Sequence, residues 1–221
     1  MTNQQSKEIK RFITGYRHFR KHYFSPNNNN RVYRDLAETG QAPKTMVITC
    51  SDSRINPAEM WGCKPGELFV VRNVANLVPP YESDEKNHGT SAALEFAVLH
   101  LNVEHIIVLG HSQCGGIDAM FKDLNRGHRT EERSFISTWM EIAKKAKLEV
   151  LAYHADEPLP EKLKLCEEKS LLISLDNLMT FPWIKSKVEK NLLTLHAWRF
   201  DLVKGIIQAY DPTLDKYIDL E

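Results

Sequence analysis

Residues 47–57, VITCSDSRINP, place Cys50, Asp52 and Arg54 close together at the end of an apolar run. A second apolar run, EHIIVLG at 104–110, leads directly into HSQC, with His111 and Cys114 at His-x-x-Cys spacing. Two thiolates and an imidazole are a donor set that zinc takes readily. The His-x-x-Cys spacing suits two ligands on one turn, and Cys50 can approach from a neighbouring strand. Three protein ligands leave one tetrahedral position open, the feature that separates a catalytic zinc from a structural one. Taken singly, a His-x-x-Cys beside glycines is commonly incidental, and a cysteine at a strand end is commonly core. Two strand ends, each followed by dense polar chemistry, form a joint pattern that neither reading explains. Cys63, in WGCKPGE, reads as a loop thiol, and Cys166 as a small buried residue of a helix.

Ligands from two distant motifs need a scaffold that brings them together. KTMVIT (44–49) and ELFVVRNV (67–74) are β-rich runs bounded by proline and glycine, and EHIIVLG has the unbroken apolarity of a central parallel strand. GTSAALEFAVLHLN (89–102) reads as one helix, apolar nearly all round and therefore covered on most sides. HSQCGGIDAMFKDLNRG (111–127) reads as a turn into a helix, and 131–147 and 161–178 as further helices before a break at Pro182. LLTLHAWRFDLVKGIIQAYD (192–211) reads as two strands joined around Lys204–Gly205. At the other end, a helix over about residues 5–23 carries Phe12, Tyr16, Phe19 and Tyr23 on one stripe facing the core or a partner, followed by a loop at SPNNNN, 25–30. The alternation predicts an α/β fold. Its central, mostly parallel sheet is flanked by helices, with an N-terminal helical arm and a C-terminal hairpin-like edge. Sites in such sheets form at the carboxyl ends of strands.

The chain has 221 residues, economically read as a single domain over 1–221 with an arm of about 1–25. Its 29 basic residues balance its 29 acidic ones. That balance gives no electrostatic case for nucleic acid or an anionic membrane. The longest apolar stretches are interrupted by Glu95 and His100 and fall short of the ~20 residues of a membrane span. The N-terminal residues lack the apolar core of a secretory signal. A cytoplasmic location with reduced cysteines is the resulting expectation.

CSDSR (50–54), PGELFVVRNVANLV (65–78), GTSAALEFAVLHL (89–101) and HIIVLGHSQCGGI (105–117) together resemble the β-class carbonic anhydrases. SLDNLMTFPWI (174–184) and LHAWRFDL (195–202) extend the resemblance over nearly the whole chain. It implies one zinc ion per subunit on Cys50, His111 and Cys114, and reversible hydration of carbon dioxide to bicarbonate. Three-histidine zinc sites bring bound water to a pKa of about 7. Two thiolates formally cancel the charge of zinc, so this site needs help to favour hydroxide. Asp52, held by Arg54 through two parallel hydrogen bonds, is the catalytic pair that the resemblance implies.

The resemblance further implies that Gln41 binds bicarbonate from a neighbouring subunit, that Gly115 offers its backbone N–H to substrate, and that Phe69 and Val74 line an apolar pocket. Ordinary core packing would equally suit Phe69 and Val74. Phe96 stands where tyrosine is frequent. Val47 stands where a subset of the family has a tryptophan that helps bind inhibitory bicarbonate, although Arg72 of that site is present. The expectation is therefore a protein without that switch, resting with Asp52 on Arg54. A homodimer or larger even-numbered homo-oligomer is implied. Two alternatives remain: a hydrolase of CS2 or COS on the same scaffold, and an inactive zinc-binding scaffold or sensor.

Overall fold

The computed structural model describes residues 6–26, 30–84, 86–122 and 134–220, in two compact units, one ending at Ala42 and one beginning at Pro43. The first holds α1 (Lys7–Phe24) and α2 (Val32–Thr39). Ser6 Oγ accepts the Ile9 N–H at 3.3 Å and so caps α1. The rings of Phe19, Tyr23 and Tyr33 pack with centroids 4.9 to 5.2 Å apart, tying the two helices. Phe12 and Tyr16, on the same stripe of α1, stay exposed. Residue 5 of the expected helix and 27–29 of the expected loop lie outside the described residues.

The second unit is built on a six-stranded sheet ordered β2-β1-β3-β4-β5-β6. β1 (Thr45–Cys50), β2 (Leu68–Asn73), β3 (His105–His111) and β4 (Thr194–Asp201) are mutually parallel. β5 (Ile206–Asp211) and β6 (Lys216–Asp219) add an antiparallel edge. The hairpin-like edge is thus three strands rather than two; β6 is short and mostly exposed, so it lacks the apolar signature of the others. Met46, Ile48, Ile106 and Val108 join Leu94, Val98, Leu171 and Ile184 in one core, while Val47, Ile107 and Leu109 join Ile55 in a second, with Trp61 and Trp198 against it. Burial on both faces explains the unbroken apolar runs.

Helices α3 (Pro57–Met60), α4 (Gly89–Glu95), α5 (Gly115–Phe121), α6 (Phe135–Met140), α7 (Lys144–Tyr153), α8 (Leu159–Leu178) and α9 (Pro182–Glu189) surround the sheet. Gly110 lets α8 approach β3, since a Cβ there would stand 3.1 Å from Leu171 Cδ2.

Three expectations change in detail. The helix expected over 89–102 leaves α geometry after Glu95 and continues as a π turn, Phe96–His100. The Leu101 N–H donates to Phe96 O at 3.0 Å, and Asn102 closes the segment at φ +53. Its cover is incomplete within this chain, because Phe96 and Leu99 are each 44% exposed. The helix expected over 131–147 is, from residue 134 on, α6, a 3-10 turn (Glu141–Ala143) and α7, which runs on to Tyr153; 131–133, like 123–127 after α5, lie outside the described residues. Pro182 does more than break a helix: it starts α9, where its missing N–H costs nothing, behind an extended Phe181.

Candidate metal centre

Strand order reverses at β1, whose sequence successor β2 lies on one side and β3 on the other. The crevice beyond the carboxyl ends of β1 and β3 is therefore the switch point where open α/β sheets form sites. Cys50 is the last residue of β1 and His111 the last of β3, and Cys114 directly precedes α5. All three are buried, and their ligand atoms lie within 4.8 Å of one another. His111 Nδ1 is 2.9 Å from Ser112 O. A carbonyl oxygen only accepts, so Nδ1 carries the hydrogen and Nε2 keeps its lone pair. Nε2 is buried without a hydrogen-bond partner among the described residues. A basic nitrogen left so beside two sulfurs fits a metal cation, as does the donor set.

The protonation of the cluster points the same way. Its pairing with Cys114 pulls the Cys50 thiol down to about 4, against the effect of burial, and His111 adds to the shift. That same pairing, then burial, pushes the Cys114 thiol far up, although the amides of Ile117 and Gly116 favour its thiolate. Burial alone would push the His111 imidazole down, but the neighbouring Cys50 thiolate raises it above its ordinary value. Cysteine binds a metal as thiolate, so a cation held by both sulfurs would displace their protons.

Around the cluster, the backbone is held from several sides. Arg72, on β2, donates from Nε to Cys50 O at 3.0 Å and from Nη2 to Asp52 O at 2.7 Å. Arg54 Nε donates to Asp52 Oδ1 at 2.9 Å and Nη2 to Oδ2 at 2.7 Å, while the Arg54 backbone N–H reaches Oδ1 at 3.0 Å. These bonds hold the Asp52 carboxyl well below the usual carboxylate range. Asp52 Oδ2 is 3.9 Å from His111 Nε2, so the aspartate faces the metal cluster. Arg54 Nη2 also donates to Gln113 O at 3.1 Å, linking the two ligand-bearing loops. Ser112 is anchored on β4: its N–H donates to Phe200 O, and its Oγ accepts the Leu202 N–H, both at 2.9 Å.

The candidate pocket residues divide. Val74 stands at the metal end of β2, where a Cβ on Gly116 would meet Val74 Cγ1 at 3.0 Å and Ala75 Cβ at 3.1 Å. A larger residue at 116 would therefore require Val74 and Ala75 to give way by a few tenths of an ångström. Ala75 and Asn76 adopt φ of +61 and +51 in the turn after β2, which Asn73 brackets by bonding both backbone groups of Leu77. Gly115 opens α5, with open space where its Cβ would be. Phe69 pairs in register with Met46, while Asn73 pairs with Cys50, so Phe69 is four residues, roughly 13 Å, down the strand from the metal end. There it stacks on Phe96, centroids 5.9 Å apart. Gln41 is exposed and belongs to the first unit. Cys63 is half-buried, and burial pushes the Cys166 thiol up to about 12.

Sequence reasoning missed Arg72 as a backbone clamp and Ser112 as an anchor. It also missed Glu167, whose Oε1 accepts the Cys114 N–H at 3.2 Å, and its partner Arg199. The one signal was Arg199, a charge set between Trp198 and Phe200.

The family profile described as Carbonic anhydrase matches residues 45–207, a span that takes in both ligand motifs and the whole parallel sheet. The chain belongs to the carbonic anhydrase family. Two of its curated relatives are β-class enzymes. It is 46% identical over 171 residues to Beta carbonic anhydrase 5, chloroplastic, of Arabidopsis thaliana, covering 77% of this chain and 55% of that protein. It is 35% identical over 205 residues to Beta carbonic anhydrase 3 of the same plant, covering 92% and 77%. Among solved structures, the β-carbonic anhydrase CcaA superposes with a TM-score of 0.89 at 30% identity, over 98% of this chain and 93% of that one. A tetrameric β-carbonic anhydrase of Sordaria macrospora gives 0.74 at 28%, over 91% and 94%. The hydrolase and inactive-scaffold alternatives gain nothing from these carbonic anhydrase matches. No described helix is long and apolar enough to cross a membrane.

Proposed function

We propose that this carbonic anhydrase converts carbon dioxide and water to bicarbonate and a proton, reversibly, with one zinc ion held by Cys50, His111 and Cys114. The observation that carries this reading is the buried Cys-His-Cys cluster, with its unpartnered His111 Nε2, facing an aspartate locked by Arg54. Zinc bound there supplies Lewis acidity that makes water a nucleophile near neutral pH. An ionised Asp52 accepts hydrogen bonds and donates none. It therefore orients a water by one O–H and leaves the oxygen lone pairs directed away from itself. Arg54 keeps the carboxylate ionised and fixed in plane.

Val74, beside the first turn of α5, supplies apolar wall for a nonpolar substrate, and the Gly115 N–H a hydrogen bond to its oxygen. Phe69 is too far along β2 to serve its own chain's centre. It serves the pocket of a second copy, as does Gln41, in a homodimer or an even-numbered multiple of it. β2 is an edge strand with Val70 exposed, the exposed Phe96 stacks on its Phe69, and Leu99 of the same π turn is also exposed. The tetrameric Sordaria relative supports the same reading. The inhibitory bicarbonate switch is absent: Val47 is buried core, and Arg72 is engaged by two backbone carbonyls. A reducing compartment such as the cytoplasm suits the free thiols of the site.

The test is stopped-flow CO2 hydration, read by a pH indicator, on protein of measured zinc content. Zinc-dependent turnover, lost on chelation and restored by zinc, is expected. No turnover with stoichiometric zinc bound overturns the assignment, and a crystal grown near neutral pH with Asp52 on the metal overturns the open resting state.

A further inference from the structure

Behind Cys114, under α8, two opposite charges are buried together. Arg199 on β4 is 3% exposed and Glu167 on α8 is 5% exposed. Arg199 Nε and Nη2 donate to Glu167 Oε2 at 3.2 and 2.9 Å. Arg199 Nη1 donates to Gln208 Oε1 at 3.3 Å and lies 4.0 Å from Asp201 Oδ2. The other carboxylate oxygen, Oε1, accepts the backbone N–H of Cys114 at 3.2 Å.

Stability is a weak reason for such a pair, since apolar residues of similar volume commonly do as well. The bond to Cys114 supplies a better one. Cys114 follows Gln113, which is held at φ +59, and precedes two glycines. A turn that combines a left-handed non-glycine residue with flexible neighbours has other conformations open to it. The Cys114 N–H precedes α5, so no carbonyl of that helix accepts it. A buried carboxylate is a strong acceptor for it. Arg199 neutralises that carboxylate, so the turn is fixed without adding net charge beside the thiolates.

We propose that Glu167, fixed by Arg199, is a positioning residue of the metal centre: it holds the Cys114 amide so that the sulfur faces Cys50 and His111. This rests on the metal reading of those three residues.

The test compares zinc affinity, by chelator competition, and the thiolate-to-metal absorption of the cobalt-substituted protein. Glu167→Leu/Arg199→Leu removes the acceptor without stranding a charge. Glu167→Gln/Arg199→Gln keeps a carbonyl that can accept the Cys114 N–H. The first is expected to bind zinc about 10- to 100-fold more weakly with an altered cobalt spectrum, and the second to recover most of that loss. Wild-type affinity and spectrum in the first variant overturn the proposal, as does a second variant no better than the first. A wild-type protein that shows no thiolate–cobalt absorption would instead remove the metal reading itself. If the first variant does not fold, hydrogen exchange of the zinc-loaded wild type decides: the Cys114 amide is expected to exchange only on global unfolding, and exchange by local opening overturns the proposal.

Discussion

Asp52 receives three hydrogen bonds from one residue, Arg54, and turns its second oxygen toward His111 Nε2. In the proposed function the pairing acts on the orientation of water rather than on the ligands themselves. Asp52→Ala is therefore expected to retain about one zinc per chain by metal analysis while turnover falls about 100-fold or more. Near-normal turnover in a zinc-loaded Asp52→Ala protein would take the pair out of the mechanism. This pair was legible in sequence because its partners are neighbours and their chemistry is complementary. The His111 tautomer was not, because it is set by Ser112 O, whose position depends on Phe200 of β4.

The turn from β4 to β5 shows how one side chain terminates a strand. Asp201 Oδ1 accepts the N–H groups of Val203 at 2.9 Å and Lys204 at 3.0 Å, and Gly205 completes the turn at φ +70. The Lys204 and Val203 amides hold the Asp201 carboxyl below its ordinary value. Between the folded and unfolded values the unfolded chain binds more protons. The contribution is therefore complete above about pH 4 and lost as pH falls through the folded value. Asp201→Ala is expected to cost about 1 kcal/mol at neutral pH. Its thermal midpoint should also decline less than that of the wild type on acidification, as calorimetry would show. An identical acid limb in the two proteins would refute this account. The turn itself was visible as Lys204–Gly205 between apolar runs, whereas β6 was not, since a short exposed edge strand carries no periodic signal.

The proposed assembly would use apolar surfaces that this chain alone leaves open. Phe96 and Leu99 project from a π turn that sequence periodicity read as ordinary helix, and Val70 lies on edge strand β2. Exposed apolar patches of this kind mark protein interfaces. The variant Phe96→Glu/Leu99→Glu is expected to shift the species measured by light scattering toward monomer and to reduce turnover at equal zinc content, because in the proposed dimer Phe69 then serves no pocket. An unchanged mass would place the interface elsewhere.

Residue types and their order were enough to name the candidate metal ligands, the Asp52–Arg54 pair and the parallel sheet. Thiol, imidazole and carboxylate chemistry is local, and burial on both faces of a strand leaves an unbroken apolar run. Three-dimensional packing alone set which nitrogen of His111 is left for a metal. It also separated Phe69 from Val74 and brought Glu167 and Arg199 behind Cys114. Those outcomes depend on strand order and register, which join residues far apart in the chain through contacts that no local pattern encodes.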